Sequence, residues 1–366
     1  MTPPSIPPPP EADPDSPLRD YLRAKQDVVD LLRDLQRLVG RVTPWASGRV
    51  DDLVRRLAED RFQLVVLGQF KRGKTSLMNA IVGQAILPTG TVPVTSVVTS
   101  LRFGPSLRAH VKRAGFPTLE VPIDQLPAYI TERGNPGNEK RVLSATIDVP
   151  TPFLRRGLHF IDTPGIGSAH EHNTAATMAF LPEADAAILV TGADAPMSDA
   201  ELTFLDAVRQ HVRKLFFVLN KVDQVSDVER AEVERYTVQL LTRRLGVEAV
   251  RLFSVSAAEA LAAGTDEQRR ERSGLPSLEA ALASFLNDER RVVFLVALLD
   301  RAVAVVDEAG YLLGLRQRAF NETGAVAGAA PAEVIARWHE VEQARRAAIA
   351  RVARAASSST TRPASS

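Results

Sequence analysis

FQLVVLGQFKRGKT, residues 62–75, is the stretch that decides the fold of this chain. Residues 62–67 form a largely apolar run, which is typical of a strand buried on both faces of a parallel sheet. Residues 68–75 match the pattern G-x-x-x-x-G-K-[ST] at every position. A buried strand, this loop and a following helix direct backbone N–H groups and the helix dipole at a phosphate. The stretch therefore predicts a P-loop domain.

The rest of the chain repeats the same kind of apolar run. Further runs lie at 98–103, 143–149, 158–161, 186–191, 215–219 and 249–255, and helical patterns at 199–213 and 228–245 separate the later ones. This alternation predicts an α/β domain over 62–288, with a doubly wound, mostly parallel sheet. Within it, the charged stretch 264–273 is interpreted as a surface insertion.

The predicted domain is flanked on both sides by segments with a helical sequence pattern. Apolar residues recur at helical spacing in 18–61 and again in 289–356, with a Gly/Ala-rich break near 324–331. The Pro-rich residues 1–17 and the Ser/Thr-rich residues 357–366 are predicted to be disordered tails. The domain order is therefore tail, N-terminal helices, α/β domain, C-terminal helices and tail.

Composition excludes several classes of protein. The 366 residues contain no Cys, which excludes a disulfide scaffold, a zinc ribbon and thiol catalysis. With 45 Lys plus Arg against 44 Asp plus Glu, the net charge of +1 argues against a strongly basic nucleic-acid binder. No apolar stretch approaches the roughly 20 residues of a membrane helix, and the start of the chain lacks a secretory signal. We expect a soluble, cytoplasmic protein without a nucleic-acid partner.

The P-loop residues have distinct expected roles. Gly68 and Gly73 let the backbone wrap closely around phosphate, and Lys74 would reach the β- and γ-phosphates. The hydroxyl of Thr75 would bind Mg²⁺, and Ser76 beside it is counted with the nucleotide-binding residues.

Two more segments are expected to sense the γ-phosphate and the metal. Asp162-Thr-Pro-Gly165 directly follows a predicted strand, so Asp162 can hold Mg²⁺ through water and the Gly165 amide can bind the γ-phosphate. The segment 87–98 offers several Thr residues that could close over Mg²⁺, of which we select Thr95. Mg²⁺ is therefore the expected cofactor, with Thr75, Thr95 and Asp162 as protein ligands.

The segment Asn220-Lys221-Val-Asp223, at the end of another predicted strand, predicts which base the bound nucleotide carries. The Asp223 carboxylate can accept hydrogen bonds from N1–H and the 2-amino group of guanine, a pair of donors that adenine lacks. A site built on such bonds rejects the base that cannot form them. Ser256-Ala257 lies where a loop amide could meet the guanine O6. Together these elements predict a GTP-binding domain.

These segments resemble the bacterial branch of the dynamin superfamily. The resemblance rests on GQFKRGKTSLMNAIVG, LPTGTVPVTSVVT, IDTPGIGS and LNKVD, and it covers about residues 18–310. It implies a dynamin-like GTPase in which the flanking helices pack as a partial neck, with the motif residues in the roles given above. It also implies dimerisation through GTPase domains and membrane remodelling, with peripheral contact at the inner face of the membrane.

Two departures from related enzymes affect the expected catalysis. Ile166 stands where Ras-like enzymes place a water-orienting Gln, and Phe70 and Lys71 replace the P-loop Gln and Ser of eukaryotic dynamins. We therefore hypothesise that Lys71 or Arg72 acts on the transferring phosphoryl group in cis once two GTPase domains meet. The alternative is that one or both point to solvent or to a partner.

The sequence leaves two functions open. The first is a GTPase that hydrolyses GTP to GDP and phosphate and couples the nucleotide state to movement of the neck helices. The alternative is a GTP-switched regulatory or scaffold module without membrane activity, because no lipid-insertion segment is visible.

Overall fold

The computed structural model describes residues 17–42, 44–90, 97–155, 157–166 and 171–323. The chain divides into two compact units: residues 59–288, and residues 1–58 together with 289–366. Of the expected tail 1–17, residues 1–16 lie outside the described residues, as do the expected tail 357–366 and the expected helix 333–356, whereas Pro17 is part of a helix.

The described helices and strands follow one another in a mixed order along the chain. The strands are β1 (Phe62–Leu67), β2 (Thr99–Phe103), β3 (Arg108–Arg113), β4 (Leu119–Val121), β5 (Val142–Val149), β6 (Leu158–Asp162), β7 (Ala186–Gly192), β8 (Lys214–Asn220) and β9 (Leu252–Ser254). The helices are α1 (Pro17–Val42), α2 (Pro44–Ala58), α3 (Lys74–Val82), α4 (Pro127–Ile130), α5 (Glu171–Phe180), α6 (Asp199–His211), α7 (Asp227–Leu245), α8 (Ala257–Ala262), α9 (Glu267–Arg272), α10 (Leu275–Ser284) and α11 (Arg290–Thr323).

The strands of the unit 59–288 form one mixed sheet. Its order is β4-β3-β5-β2-β6-β1-β7-β8-β9. The strands from β6 to β9 in this order are parallel, whereas β2 pairs antiparallel with β6. Strand β5 is parallel to β2, and β3 pairs antiparallel with both β5 and β4. The predicted α/β class with a mostly parallel sheet is confirmed, with an antiparallel extension beyond β6.

The parallel part of the sheet is the core of this unit. Every residue of β1 and of β7 is buried, as expected for central strands covered on both faces. Since parallel strands end at one edge of a sheet, the loops that follow β1, β6 and β8 open at the same edge. This places the P-loop and the segments after Asp162 and Asn220 together.

The second unit consists, among the described residues, of α1, α2 and α11. Their apolar faces pack on one another, and the buried members include Val28, Leu32, Leu35, Val50, Leu53, Leu57, Phe294 and Leu298. An ion pair of 2.6 Å between Arg49 and Glu308 joins α2 to α11. Helix α1 includes Pro17, a residue type that suits a first helical turn because it needs no N–H partner there. Among the helices of the described residues, none combines enough length with enough apolar character to span a bilayer.

Candidate nucleotide-binding site

The two motif glycines of the P-loop are required by close neighbours. Gly68 has φ 146°, and a Cβ there would overlap the carbonyl oxygen of Val190 in β7. Gly73 has φ 85° and precedes α3, and its Cβ would overlap the side-chain amide of Asn220. At both positions any residue other than glycine would have a strained backbone, and its Cβ would collide with a neighbour. Both positions therefore have to be glycine.

Lys74 lies buried inside the arch of this loop. Its Nζ donates hydrogen bonds to the carbonyl oxygens of Gly68 (3.1 Å) and Gln69 (3.2 Å). Burial lowers the pKa of Lys74 from 10.5 to about 8, although the charges of Asp162 and Glu201 oppose the shift. A cation held by only partial charges of carbonyl groups is ready to exchange them for phosphate oxygens, which carry full charge.

Thr75 and Asp162 supply two adjacent oxygen atoms. The Thr75 hydroxyl donates to Oδ2 of Asp162 at 2.9 Å, and Asp162 is buried. A hydroxyl and a carboxylate are hard oxygen ligands, which fit Mg²⁺ when phosphate oxygens and water complete an octahedron. Thr95, the third expected ligand, lies outside the described residues. Among the described residues, no cluster of three His, Asp or Glu side chains offers a metal site built by protein alone.

The segment after Asp162 is joined to the P-loop through its backbone. The Phe70 N–H donates to the Ile166 carbonyl at 3.0 Å, and the Ile166 N–H donates to the Gly68 carbonyl at 3.4 Å. A Cβ on Gly165 would lie 2.8 Å from Cα of Phe70 and 3.0 Å from Nζ of Lys74. Ile166 itself is buried in the core, so its side chain offers no group to hold a water molecule.

Asn220 connects the P-loop to the segment after β9. Its Nδ2 donates to the carbonyl oxygens of Arg72 (3.0 Å) and Gly73 (3.4 Å), and its Oδ1 accepts from the Ala257 N–H at 3.0 Å. Asp223 is exposed in the turn after β8, and the Nζ of Lys221 pairs with Asp194 at 2.7 Å.

The structure corrects the expected role of Ser256 and Ala257. The Ala257 N–H donates to Oδ1 of Asn220, and the Ser256 N–H donates to the Ser273 carbonyl oxygen at 2.8 Å. The Ser256 side chain caps α8 by accepting from the Glu259 N–H at 3.1 Å. Because both backbone amides already have acceptors in the protein, this pair braces Asn220 instead of presenting an open amide to the base.

Lys71 and Arg72, the two cations between the motif glycines, have opposite environments. Lys71 is exposed, has φ 68° and lies over the Phe70 ring at 5.4 Å from its centroid. Arg72 is buried and forms two hydrogen bonds with the Glu201 carboxylate, from Nε at 3.0 Å and from Nη2 at 2.8 Å. In this structure the Arg72 guanidinium is therefore occupied within the protein, which favours Lys71 over Arg72 as the candidate for phosphoryl transfer.

Glu201 and Asp194 were missed by sequence reasoning. Glu201 is in the third position of α6, where Ser198 and Glu201 form a capping box. That Ser-x-x-Glu pattern is visible in the sequence and predicts the start of a helix. It gives no sign that the carboxylate pairs with an arginine of the P-loop.

Comparison with known proteins identifies the relatives of this chain. Residues 64–222 match the model of the dynamin family. An uncharacterized protein in the xynA 3′ region of Caldicellulosiruptor is 38% identical over 237 residues, which cover 64% of this chain and 59% of that protein. The probable transmembrane GTPase FZO-like, chloroplastic, of Arabidopsis thaliana is 30% identical over 236 residues, which cover 64% of this chain and 23% of that protein. This chain thus spans less than two thirds of the length of either relative.

A solved structure described as an oligomerised bacterial dynamin pair, with a mechanism for long range sensing and tethering of membranes, has the same fold. Its TM-score is 0.51 at 18% identity, and the match covers 83% of this chain and 49% of that one. The resemblance to the dynamin superfamily that the motifs predicted is confirmed.

Proposed function

Since residues 64–222 of this chain match the model of the dynamin family, we propose that the chain binds GTP with Mg²⁺ and hydrolyses it to GDP and phosphate. The observation that carries the proposal is the buried Lys74 ammonium beside the Thr75–Asp162 pair, in a loop whose two motif glycines have no room for a Cβ. This arrangement offers one cation and two metal-type oxygens to the same phosphates.

In the proposed mechanism the P-loop amides and the α3 dipole hold the β-phosphate, and Lys74 bridges the β- and γ-phosphates. Thr75 and Asp162 would hold Mg²⁺, together with Thr95. The metal would neutralise charge on the phosphate oxygens when bound. The Gly165 amide would contact the γ-phosphate, and the backbone bonds at Ile166 support transmission of its loss to the P-loop.

Asp223 is proposed to select guanine, with Asn220 and Lys221 shaping its surroundings. The carboxylate would accept the two donors of the guanine edge, and its exposure in this structure leaves it open to them. Asn220, by contrast, is already committed to the P-loop and Ala257, so we propose that it sets the distance between the phosphate and base segments.

Lys71 is the remaining candidate for a cation that stabilises charge on the transferring phosphoryl group. Its side chain is exposed, and its backbone is left-handed, with φ 68°. We propose that it acts when two GTPase domains meet, since a cation placed in this way contributes about 10³- to 10⁵-fold in related phosphoryl transfers.

Beyond hydrolysis, we propose that the nucleotide state is coupled to the helices α1, α2 and α11 in membrane remodelling at the inner face of the membrane. The support is that both ends of the unit 59–288 continue covalently into that helical unit. The alternative, a GTP-switched regulatory or scaffold module, is supported by the lack of a lipid-insertion segment in the sequence.

The guanine assignment is tested by Asp223→Asn. The Asn side chain donates where Asp only accepts, so it no longer matches guanine but does match xanthine, which carries a carbonyl at C2. We expect the affinity for GTP to fall about 100-fold or more and xanthosine triphosphate to become the preferred ligand, as measured by titration calorimetry.

Asp227→Asn is the matched control, because Asp227 is an exposed acid four residues further along, in the first turn of α7. It should keep the preference for GTP. If Asp223→Asn also keeps that preference, Asp223 does not read the base and the proposal of a guanine site is wrong.

A further inference from the structure

A buried carboxylate, that of Glu201, contacts the P-loop through the side chain of Arg72. The side chain of Glu201 is 3% exposed and that of its partner Arg72 is 8% exposed. The guanidinium also donates to the carbonyl oxygens of Ala195 (3.1 Å) and Pro196 (3.2 Å), and its Nη1 lies 3.7 Å from Asp194. Its donors are thus directed at α6 and the loop before it.

The main chain of Arg72 is held from another direction. Its carbonyl oxygen accepts from Asn220, whose Oδ1 in turn accepts from the Ala257 amide. A single P-loop residue is therefore fixed through its side chain to α6 and through its backbone to the segments after β8 and β9. The loop that follows β7 takes part as well, because Asp194 pairs with Lys221 as well as lying near Arg72.

A buried ion pair is weak evidence for a role in stability. The desolvation of both charges offsets most of their attraction, and apolar residues of similar volume often serve a fold equally well. A bidentate arginine–carboxylate pair does, however, fix an orientation that apolar contacts leave loose. Here that orientation is needed, because neighbouring Lys71 has φ 68°, a left-handed conformation that is strained for a residue other than glycine and persists only where its surroundings hold it.

We infer that Glu201 is a positioning residue for the nucleotide: through Arg72 it holds the P-loop in the phosphate-binding conformation. This rests on the proposed function, because it deepens the same site. Glu201 touches neither phosphate nor metal in this scheme and acts only through Arg72.

The test compares Glu201→Gln with Glu229→Gln by titrating GDP in the presence of Mg²⁺. Glu229 occupies the same position of a matching capping box, Ser226 to Glu229, at the start of α7, but it is exposed, and within the described part of the chain no arginine forms an ion pair with it. Glutamine keeps an oxygen for the cap in both variants, so the pair differs in the bond to Arg72.

We expect Glu201→Gln to weaken GDP affinity about 10- to 100-fold, because Arg72 loses its charged partner and the P-loop loses the orientation that the pair fixes. Glu229→Gln should bind GDP like the unchanged chain. Equal GDP affinity for Glu201→Gln and the unchanged chain would overturn the inference.

A double variant separates positioning from stability and remains informative if Glu201→Gln does not fold. Arg72→Met with Glu201→Leu removes both buried charges, so its urea unfolding midpoint should equal or exceed that of the unchanged chain. Its GDP affinity should stay at least tenfold weaker. If the double variant binds GDP like the unchanged chain, the pair contributes packing only and the inference fails. If the unchanged chain itself does not bind GDP, the proposed function fails first.

Discussion

Lys74 links the chemistry of the site to the stability of the unit 59–288. Its pKa is about 8 in the folded protein against 10.5 for an unperturbed lysine, so between these values the unfolded chain binds more protons. Stability then rises with pH across this window, by about 3 kcal/mol in total for this one group. The affinity for phosphate should change in the opposite direction, because the ammonium that would bind it is lost.

We therefore expect the nucleotide-free chain to gain stability between pH 8 and pH 10 relative to Lys74→Met, which carries no proton there. Urea unfolding of both proteins at pH 7, 8, 9 and 10 measures the difference. Lys112→Met is the matched control, since Lys112 is exposed on β3 and should not alter the pH dependence. Parallel curves for the unchanged chain and Lys74→Met would show that burial does not shift the titration of Lys74.

At the residue scale the sequence predicted which side chains matter better than what they touch. The nucleotide motifs are local strings, so Lys74, Thr75, Asp162 and Asn220 could be found by spacing alone. The partners of Arg72 and Ala257 could not be found from spacing, because Glu201 is 129 residues from Arg72 and Asn220 is 37 residues from Ala257. Only the fold brings such pairs together, and they changed the interpretation of both residues.

At the element scale the charged stretch 264–273 has a different role from the one expected. It contains α9, whose Arg269 forms two hydrogen bonds with Glu259 of α8, at 2.7 and 3.2 Å. Its last residue, Ser273, is buried and accepts the Ser256 amide through its carbonyl. The stretch is therefore a brace for the segment that holds Asn220. Strand β3 was not predicted from the sequence. Only Ala109 and Val111 of Arg108–Arg113 are buried, so the strand has no continuous apolar run.

Two glycines bordering this brace provide a matched test. Gly264 and Gly274 both have left-handed backbones, with φ 54° and 71°, but a Cβ on Gly264 meets open space whereas one on Gly274 would overlap the Ser254 carbonyl. Gly264→Ala should cost about 1–2 kcal/mol of stability from strain alone and leave GDP affinity unchanged. Gly274→Ala should cost more and also weaken GDP binding several-fold, because β9 and the following loop must shift.

Urea unfolding and GDP titration of the two alanine variants separate these effects. Loss of stability without loss of GDP affinity in Gly274→Ala would show that the brace does not set the position of Ala257 and Asn220.

At the scale of the whole molecule, the unit 59–288 is an insertion in the sequence of the helical unit. Helices α1 and α2 precede it and α11 follows it, yet these three pack together. The sequence predicted the helices from their apolar spacing, and the resemblance to dynamins predicted that they associate. Both covalent connections of the unit 59–288 lead into the same group of packed helices, as the proposed coupling requires.

The proposal that Lys71 acts when two GTPase domains meet predicts a turnover that depends on assembly, and this dependence is measurable. We expect the GTP turnover per molecule to rise with protein concentration, and to rise further with liposomes that contain anionic lipid.

Lys71→Ala should reduce the concentration-stimulated part of the turnover at least about tenfold while leaving GDP affinity unchanged, because the side chain acts on the transferring phosphoryl group only in the dimer. Lys112→Ala, which removes another exposed cation, should retain the full stimulation. Turnover that is independent of concentration and of liposomes would support the GTP-switched binding module instead, and stimulation that survives Lys71→Ala would exclude Lys71 from the chemistry.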